Sequence, residues 1–282
     1  MNFQPIVPIG GVAGFLFVER TREAQQEVFD RSPQLEREVA YFRENVATIG
    51  SAEELVADRT LLTVALGAFG LEDEIDKRYF LQKILEEGSE ESDALANRLV
   101  DTRYREFAAA FGFGDLLGSR VQQSDFAERI VDAYKTRQFE VAVGNVDNSI
   151  RLSLNFEREI AGFLPETDAV DQAGTAWFRI MGNEPIRAVI QSALGIPDAV
   201  SALDVDRQRE IFEDKATQIY GTSSVNLFQD PENVDRIIRD FLAREQIESG
   251  PSASTPGMSA LTLLSSSGLG TASTANLLLS IG

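Results

Sequence analysis

Carboxylates are the one plentiful reactive group in this chain, and two runs of them stand out, Glu72-Asp73-Glu74 and Glu86-Glu87. Paired acids can hydrolyse a glycoside or hold a hard cation. Both uses need carboxylates that converge from different parts of a fold. Here the first run opens a helical stretch, where acids favour the helix dipole, and the second closes one. Solvated helix surface is the better reading of both. "NVDNS" lacks the glycine and the distant glutamate of a calcium loop. "GFGDLLG", residues 112–118, has the glycine spacing of a phosphate loop but comes after a helical stretch and contains no lysine or arginine. A phosphate loop needs a strand before it and a helix after it, so a helix stop and turn is expected instead.

Other chemistries fall away by count. The 282 residues include no cysteine and no histidine. That removes Ser-His-Asp and Cys-His nucleophile systems and the usual zinc ligands. No catalytic, cofactor-binding or metal-binding residue is assigned, and the expectation is a protein that is not an enzyme. Asp and Glu number 45 against 26 Lys and Arg, a formal net charge of -19. Nucleic acid and anionic lipid repel such a chain unless it carries a basic patch. Its arginines instead stand singly among acids, as in "FVERTREAQQEVFDR".

The elements that would position these groups read as helices. Ser32-Pro33 ends one helix and starts the next, with proline at its first position. Leu35, Val39, Phe42 and Val46 recur at helical steps. Ser51 and Glu54 form a capping box ahead of a helix that runs to Gly70. "EDEIDKRYFLQKILEE" makes the next helix, to Gly88, and Ser92 is placed to cap "DALANRLVD". "RYREFAAAF" stops at Gly112. Ser124 is placed to cap a long helix whose stripe is Phe126, Ile130, Val131, Tyr134 and Phe139. "IRLSLNF" alternates a little, but its continuation favours helix, and "PETDAVDQAG" reads as a linker. Further helices follow to residue 247. The expected class is all-α and multihelical.

Arg129-Ile-Val-Asp-Ala-Tyr134-Lys-Thr-Arg137 and Arg236-Ile-Ile-Arg-Asp-Phe241-Leu-Ala-Arg244 share one spacing, and "ALGAFGL" echoes "QSALGIP". Chance similarity of amphipathic helices competes with duplication of a helical unit; duplication is preferred. The division expected is an uncharged segment 1–18, a first helical half 19–165, a second half 170–247 packed on it, and a low-complexity tail 248–282 expected to be disordered. Trp177, Phe178 and Met181 form an apolar cluster expected in the core, with Asn183 and Pro185 at a corner between helices.

The two ends differ from the rest. Residues 1–18 and 251–282 carry no charged side chain. The first lacks the positive region of a cleavable secretory signal and is expected to pack or assemble. No stretch approaches the roughly 20 apolar residues of a membrane span. Apolar side chains in such segments call for a partner that buries them. Candidate contacts are Phe15, Leu16 and Phe17 at one end, and Leu261, Leu263, Leu264, Leu277, Leu278, Leu279 and Ile281 at the other.

"VADRTLLTVALGAFGLEDEI", "DALANRLVDTRYREFAAAFGFGD", "IVDAYKTRQFEVAVG" and "WFRIMGNEPIRAVIQSALGIP" together resemble domain of unknown function 1217. The resemblance spans roughly residues 1–247. It implies a multihelical fold and a bacterial source among the alphaproteobacteria, where such genes sometimes lie near flagellar genes. It brings no catalytic residue. The expected function is therefore a non-enzymatic structural or assembly protein of the flagellum or motility apparatus, acting through protein–protein contacts. The place implied is the bacterial cytoplasm or the flagellum. The alternatives are a cytoplasmic adaptor or export chaperone for another protein's apolar segment and, behind it, a carboxylate- or metal-dependent enzyme. The partners expected are other proteins, flagellar components among them, without nucleic acid or a membrane span.

Overall fold

Residues 3–164 and 170–249 are described by the computed structural model. Among them are thirteen α-helices and no strand. They are α1 (Gly11–Asp30), α2 (Pro33–Asn45), α3 (Ala52–Ala57), α4 (Arg59–Phe69), α5 (Arg78–Glu87), α6 (Leu95–Arg98), α7 (Arg103–Phe111), α8 (Phe126–Gly144), α9 (Asn148–Glu159), α10 (Val170–Gly182), α11 (Glu184–Ala193), α12 (Val205–Tyr220) and α13 (Pro231–Glu248). No helix among the described residues is long and apolar enough to cross a membrane.

Local chemistry sets most of these boundaries. Pro33 starts α2 with no lost donor, and the Ser51 side chain accepts from Glu54 N at 3.2 Å to open α3. Asn183 Oδ1 accepts from Ile186 N at 3.1 Å and makes the corner between α10 and α11. Five boundaries differ from expectation. α10 begins at Val170, so the second half of the expected linker "PETDAVDQAG" is helical. The helix expected from Ser51 to Gly70 breaks at Asp58, whose side chain accepts from Thr60 N and Leu61 N and so caps α4 separately. Glu72–Glu74 form a 3₁₀ turn, leaving α5 to begin at Arg78. Ser92 does not cap α6; Glu87 Oε2 reaches across and accepts from Leu95 N at 2.7 Å. That bond holds the Glu87 carboxyl below its usual pKa, against the opposing effect of burial. Ser124 gives no cap either, since α8 begins after Asp125 without a side-chain cap.

Apolar side chains gather in two clusters. One runs from Leu35 to Tyr134 and includes α2 to α5, α7 and the first half of α8. The other holds Phe139 to Leu242 together with Phe15 and Val18 of α1. The changeover lies inside α8, between Tyr134 and Phe139, so one continuous helix belongs to both. Beside it the Glu140 carboxylate takes a bidentate pair from Arg158, 2.9 Å from Nε and 2.8 Å from Nη2, with Arg22 3.8 Å away. α1, α8 and α9 are thereby fastened at the junction by charge as well as by packing.

The repeated sequence spacing reappears as geometry. α4 ends at Gly70 and α11 ends before Gly195, both left-handed at φ 68° and 62°. In each case the next residue donates five back at 2.9 Å, Leu71 to Leu66 and Ile196 to Gln191. This is a Schellman closure, which glycine adopts without steric penalty. Over each glycine lies the last arginine of the repeated motif. A Cβ on Gly70 would sit 3.2 Å from Arg137 Nη1, and one on Gly195 would sit 2.7 Å from Arg244 Nη1. The matched residues Ile130, Val131 and Tyr134 of α8, and Ile237, Ile238 and Phe241 of α13, are all buried.

Candidate interaction surface

The glycine-rich loop between α7 and α8 does stop a helix, and Gly112 is its left-handed end. Beyond Gly112 the chain forms a tied knuckle. Asp115, whose side chain is 0% exposed, accepts from Ser89 N at 2.7 Å and lies 3.3 Å from Arg120 Nη2. Arg120 Nη1 in turn donates to Ala109 O, and Arg120 N donates to Phe111 O at 2.9 Å. Gly114 presses so closely on the end of α5 that a Cβ there would lie 2.2 Å from Glu86 O. Only glycine fits such an approach.

On this tied base Leu116 and Leu117 stand 92% and 86% exposed. They are held there: Leu116 N donates to Glu90 Oε2 at 2.9 Å, and Gly118 N to Asp115 O at 2.8 Å. Two leucine side chains on a fastened loop can each return about 1.5–3 kcal/mol when a partner covers them. The ground beneath is acidic. Residues 86–93 carry five carboxylates and neither lysine nor arginine. An apolar hollow with a basic rim would complement such a surface.

The residues singled out from sequence are distributed unevenly. Phe15 is 4% exposed and packs in the chain's own core, because α1 begins at Gly11 and sets Phe15 and Val18 one turn apart facing inward. Leu16 packs against the same core, while Phe17 is 37% exposed. Leu261, Leu263, Leu264, Leu277, Leu278, Leu279 and Ile281 lie outside the described residues, as do 165–169 of the expected linker. Trp177 is 1% exposed, donates from Nε1 to Ser223 O at 2.9 Å, and packs edge-on against Phe212 and Phe228. Met181 is buried in the same cluster, and Phe178 packs on it beneath the Arg209 guanidinium. Among the described residues no group of three or more acids is placed to hold a metal ion. Sequence reasoning misses the knuckle, because the glycine spacing of "GFGDLLG" points to a phosphate loop or a plain turn. Its paired leucines among glycines are the signal that could find it.

Taken together, the fold and this surface define an all-helical protein with a charge-fastened body and a projecting apolar loop. Residues 68–234, more than half of the chain, match the family described as protein of unknown function, DUF1217, and the chain belongs to that family. The crystal structure of protein AGR_C_984 from Agrobacterium tumefaciens is similar, with a TM-score of 0.70 and 24% identity over 88% of this chain and 100% of that one. That likeness is one of fold. A comparison with curated proteins finds no match.

Proposed function

We propose that this protein is a non-enzymatic helical component of a bacterial motility apparatus, working through protein–protein contact. One observation carries the contact part of the reading: Leu116 and Leu117 are almost fully exposed, yet their loop is fixed by Asp115, Arg120 and Gly114. A solvated loop has no need of such fastening, whereas a docking element binds better when it is pre-ordered. The motility part rests on the family resemblance, whose members are sometimes encoded near flagellar genes. Phe17 and the leucines beyond residue 260 would add further contacts.

The test is made in the bacterium. Deleting the gene should reduce swimming or filament number, and normal motility with normal filaments would remove the motility assignment. Replacing the chromosomal copy with the L116D/L117D variant should reproduce the deletion while leaving the purified protein's unfolding midpoint unchanged. Wild-type swimming by that strain would remove the knuckle from the account. A second reading, a cytoplasmic adaptor or export chaperone, is favoured by a cleft of about 700 Å³ beside α11 and α13. Fractionation separates the two, since a chaperone stays inside and an axial part appears with basal bodies or in the secreted fraction.

A further inference from the structure

The cleft lies where the second copy of the repeated helix pair is open. Leu152, Ile196 and Phe241 supply apolar wall, and Gln191, Ser192 and Ser201 supply hydrogen-bonding groups. Two arginines line it, Arg187 and Arg244, and neither has a carboxylate within 4.0 Å among the described residues. This is unusual in a chain with 45 acids to 26 bases. Arg187 donates from Nε to Gln191 Oε1 at 3.0 Å, and its Nη2 is buried without a hydrogen-bond partner among the described residues. Glu184, Asp198, Glu245 and Glu248 stand at the same cleft. An acidic ligand would meet four carboxylates. An uncharged one would meet no repulsion, and its backbone carbonyls could accept from the exposed Arg244 guanidinium.

In the first copy the corresponding place is closed. Arg137 is 14% exposed on its side chain and pairs with Glu159 of α9 at 2.9 Å. Arg103 covers the other side by donating to Gly70 O. α9 is the element that directly follows α8. After α13, the counterpart of α8, the sequence continues as the uncharged stretch from Gly250. Glu248, at the end of α13, already lines the cleft, and Ile247 beside it is fully in solvent at 79% exposure. The first apolar run beyond is Met258 to Leu264, "MSALTLL". The twelve Cα-to-Cα steps from Ser249 to Leu261 can span up to about 40 Å, against about 15 Å for the length of α11.

We infer that the cleft between α11 and α13 is a docking site for the chain's own uncharged segment, seated through Leu261, Leu263 and Leu264. A tethered segment enjoys a high effective concentration, so an outside ligand would have to displace it. This inference goes beyond the motility reading: it takes Leu261, Leu263 and Leu264 out of the contacts offered to a partner and leaves the Leu116–Leu117 surface and its test untouched.

The absence of cysteine makes a disulfide test clean. In full-length protein, Leu263→Cys is combined either with Ala188→Cys in the cleft or with Tyr79→Cys on the exposed surface of α5. Under mild oxidant at high dilution, the 188–263 pair should close within one chain at least tenfold faster than the 79–263 pair. Equal rates would overturn the proposal, because they mean no preferred seat. Disulfide-linked dimers of the 188–263 variant as the main product would overturn it too, because the occupant would then be a second copy. Adding L261D and L264D to the 188–263 variant should abolish the preference. A preference kept in that variant would overturn seating through leucines.

Discussion

Two helix pairs, α4 with α8 and α11 with α13, share a plan and differ in how they are finished. Each ends its shorter helix in a left-handed glycine, and each lays an arginine over that glycine. In the first pair the guanidinium is enclosed and ion-paired. Burial, and the charge of nearby Arg158, push Arg137 down to about 10. In the second pair Arg244 faces a cleft and has no carboxylate partner among the described residues. The same local code thus yields a sealed joint in one place and an open one in the other. What differs is the neighbouring chain: α7 and α9 cover Gly70 and Arg137, and no described element does so for Gly195 and Arg244.

The largest contrast should come from removing the two arginines. Arg137→Ala is expected to lower stability by about 2–3 kcal/mol, since it breaks a buried pair; Glu159 keeps Arg158, which holds the loss below that of a fully orphaned charge. Arg244→Ala should stay within about 0.5 kcal/mol. Urea unfolding of both variants checks this, and equal losses would erase the distinction between sealed and open copies. Next come the glycines. Alanine at either position carries the strain of a left-handed conformation, about 1–2 kcal/mol. Gly70→Ala should lose more than Gly195→Ala, although the Cβ would approach Arg244 more closely. Arg244 can swing into the cleft, whereas Arg137 is tethered by Glu159. The reverse order of midpoints would show that Arg244 is fixed after all.

A smaller effect separates Tyr134 from its counterpart Phe241. The Tyr134 hydroxyl donates to Glu38 Oε2 at 2.6 Å, and burial together with that bond drives its pKa well above the ordinary tyrosine value. Tyr134→Phe should cost about 1.5 kcal/mol, measured by the same unfolding curves. A neutral result would mean that the hydroxyl adds nothing Phe241 lacks.

The smallest effect concerns Glu106, on the α7 side that seals the first copy. Burial raises its pKa, opposed by the charges of Arg137, Arg105 and Arg179. Its folded-state value exceeds its unfolded value, so the ionised form is disfavoured in the fold. That penalty is present at neutral pH and disappears as pH falls through the folded value. Glu106→Gln should therefore raise the midpoint slightly at pH 7 and lose its advantage in acid. A gain that grew on acidification would contradict a raised pKa in the folded state.

Much of the helical body was legible because its signals are local. Leu35, Val39, Phe42 and Val46 follow the period of a helix, and all four are buried. So are Phe126, Ile130, Val131, Tyr134 and Phe139. Pro33, Ser51 and Asn183 announced their turns through chemistry within three residues. The failures are mostly long-range. Glu87 replaces Ser92 as the cap of α6 from eight residues away. Glu72–Glu74 turn separately from α5, although acids at that position could equally have opened it.

By its residues alone this chain determined an all-helical body, the absence of thiol and imidazole chemistry, the inward stripes of α2 and α8 and a repeated arginine-ended motif. These come from composition and from periods of three and four residues, which the backbone enforces wherever a helix forms. Tertiary structure decided the rest. It turned "GFGDLLG" into a projecting pair of leucines by pressing Gly114 onto the end of α5. It drew Phe15 into the core, and it closed one copy of the repeated motif while leaving the other open. Each of these depends on which distant element comes to rest against a given residue, and spacing along the chain carries no record of that.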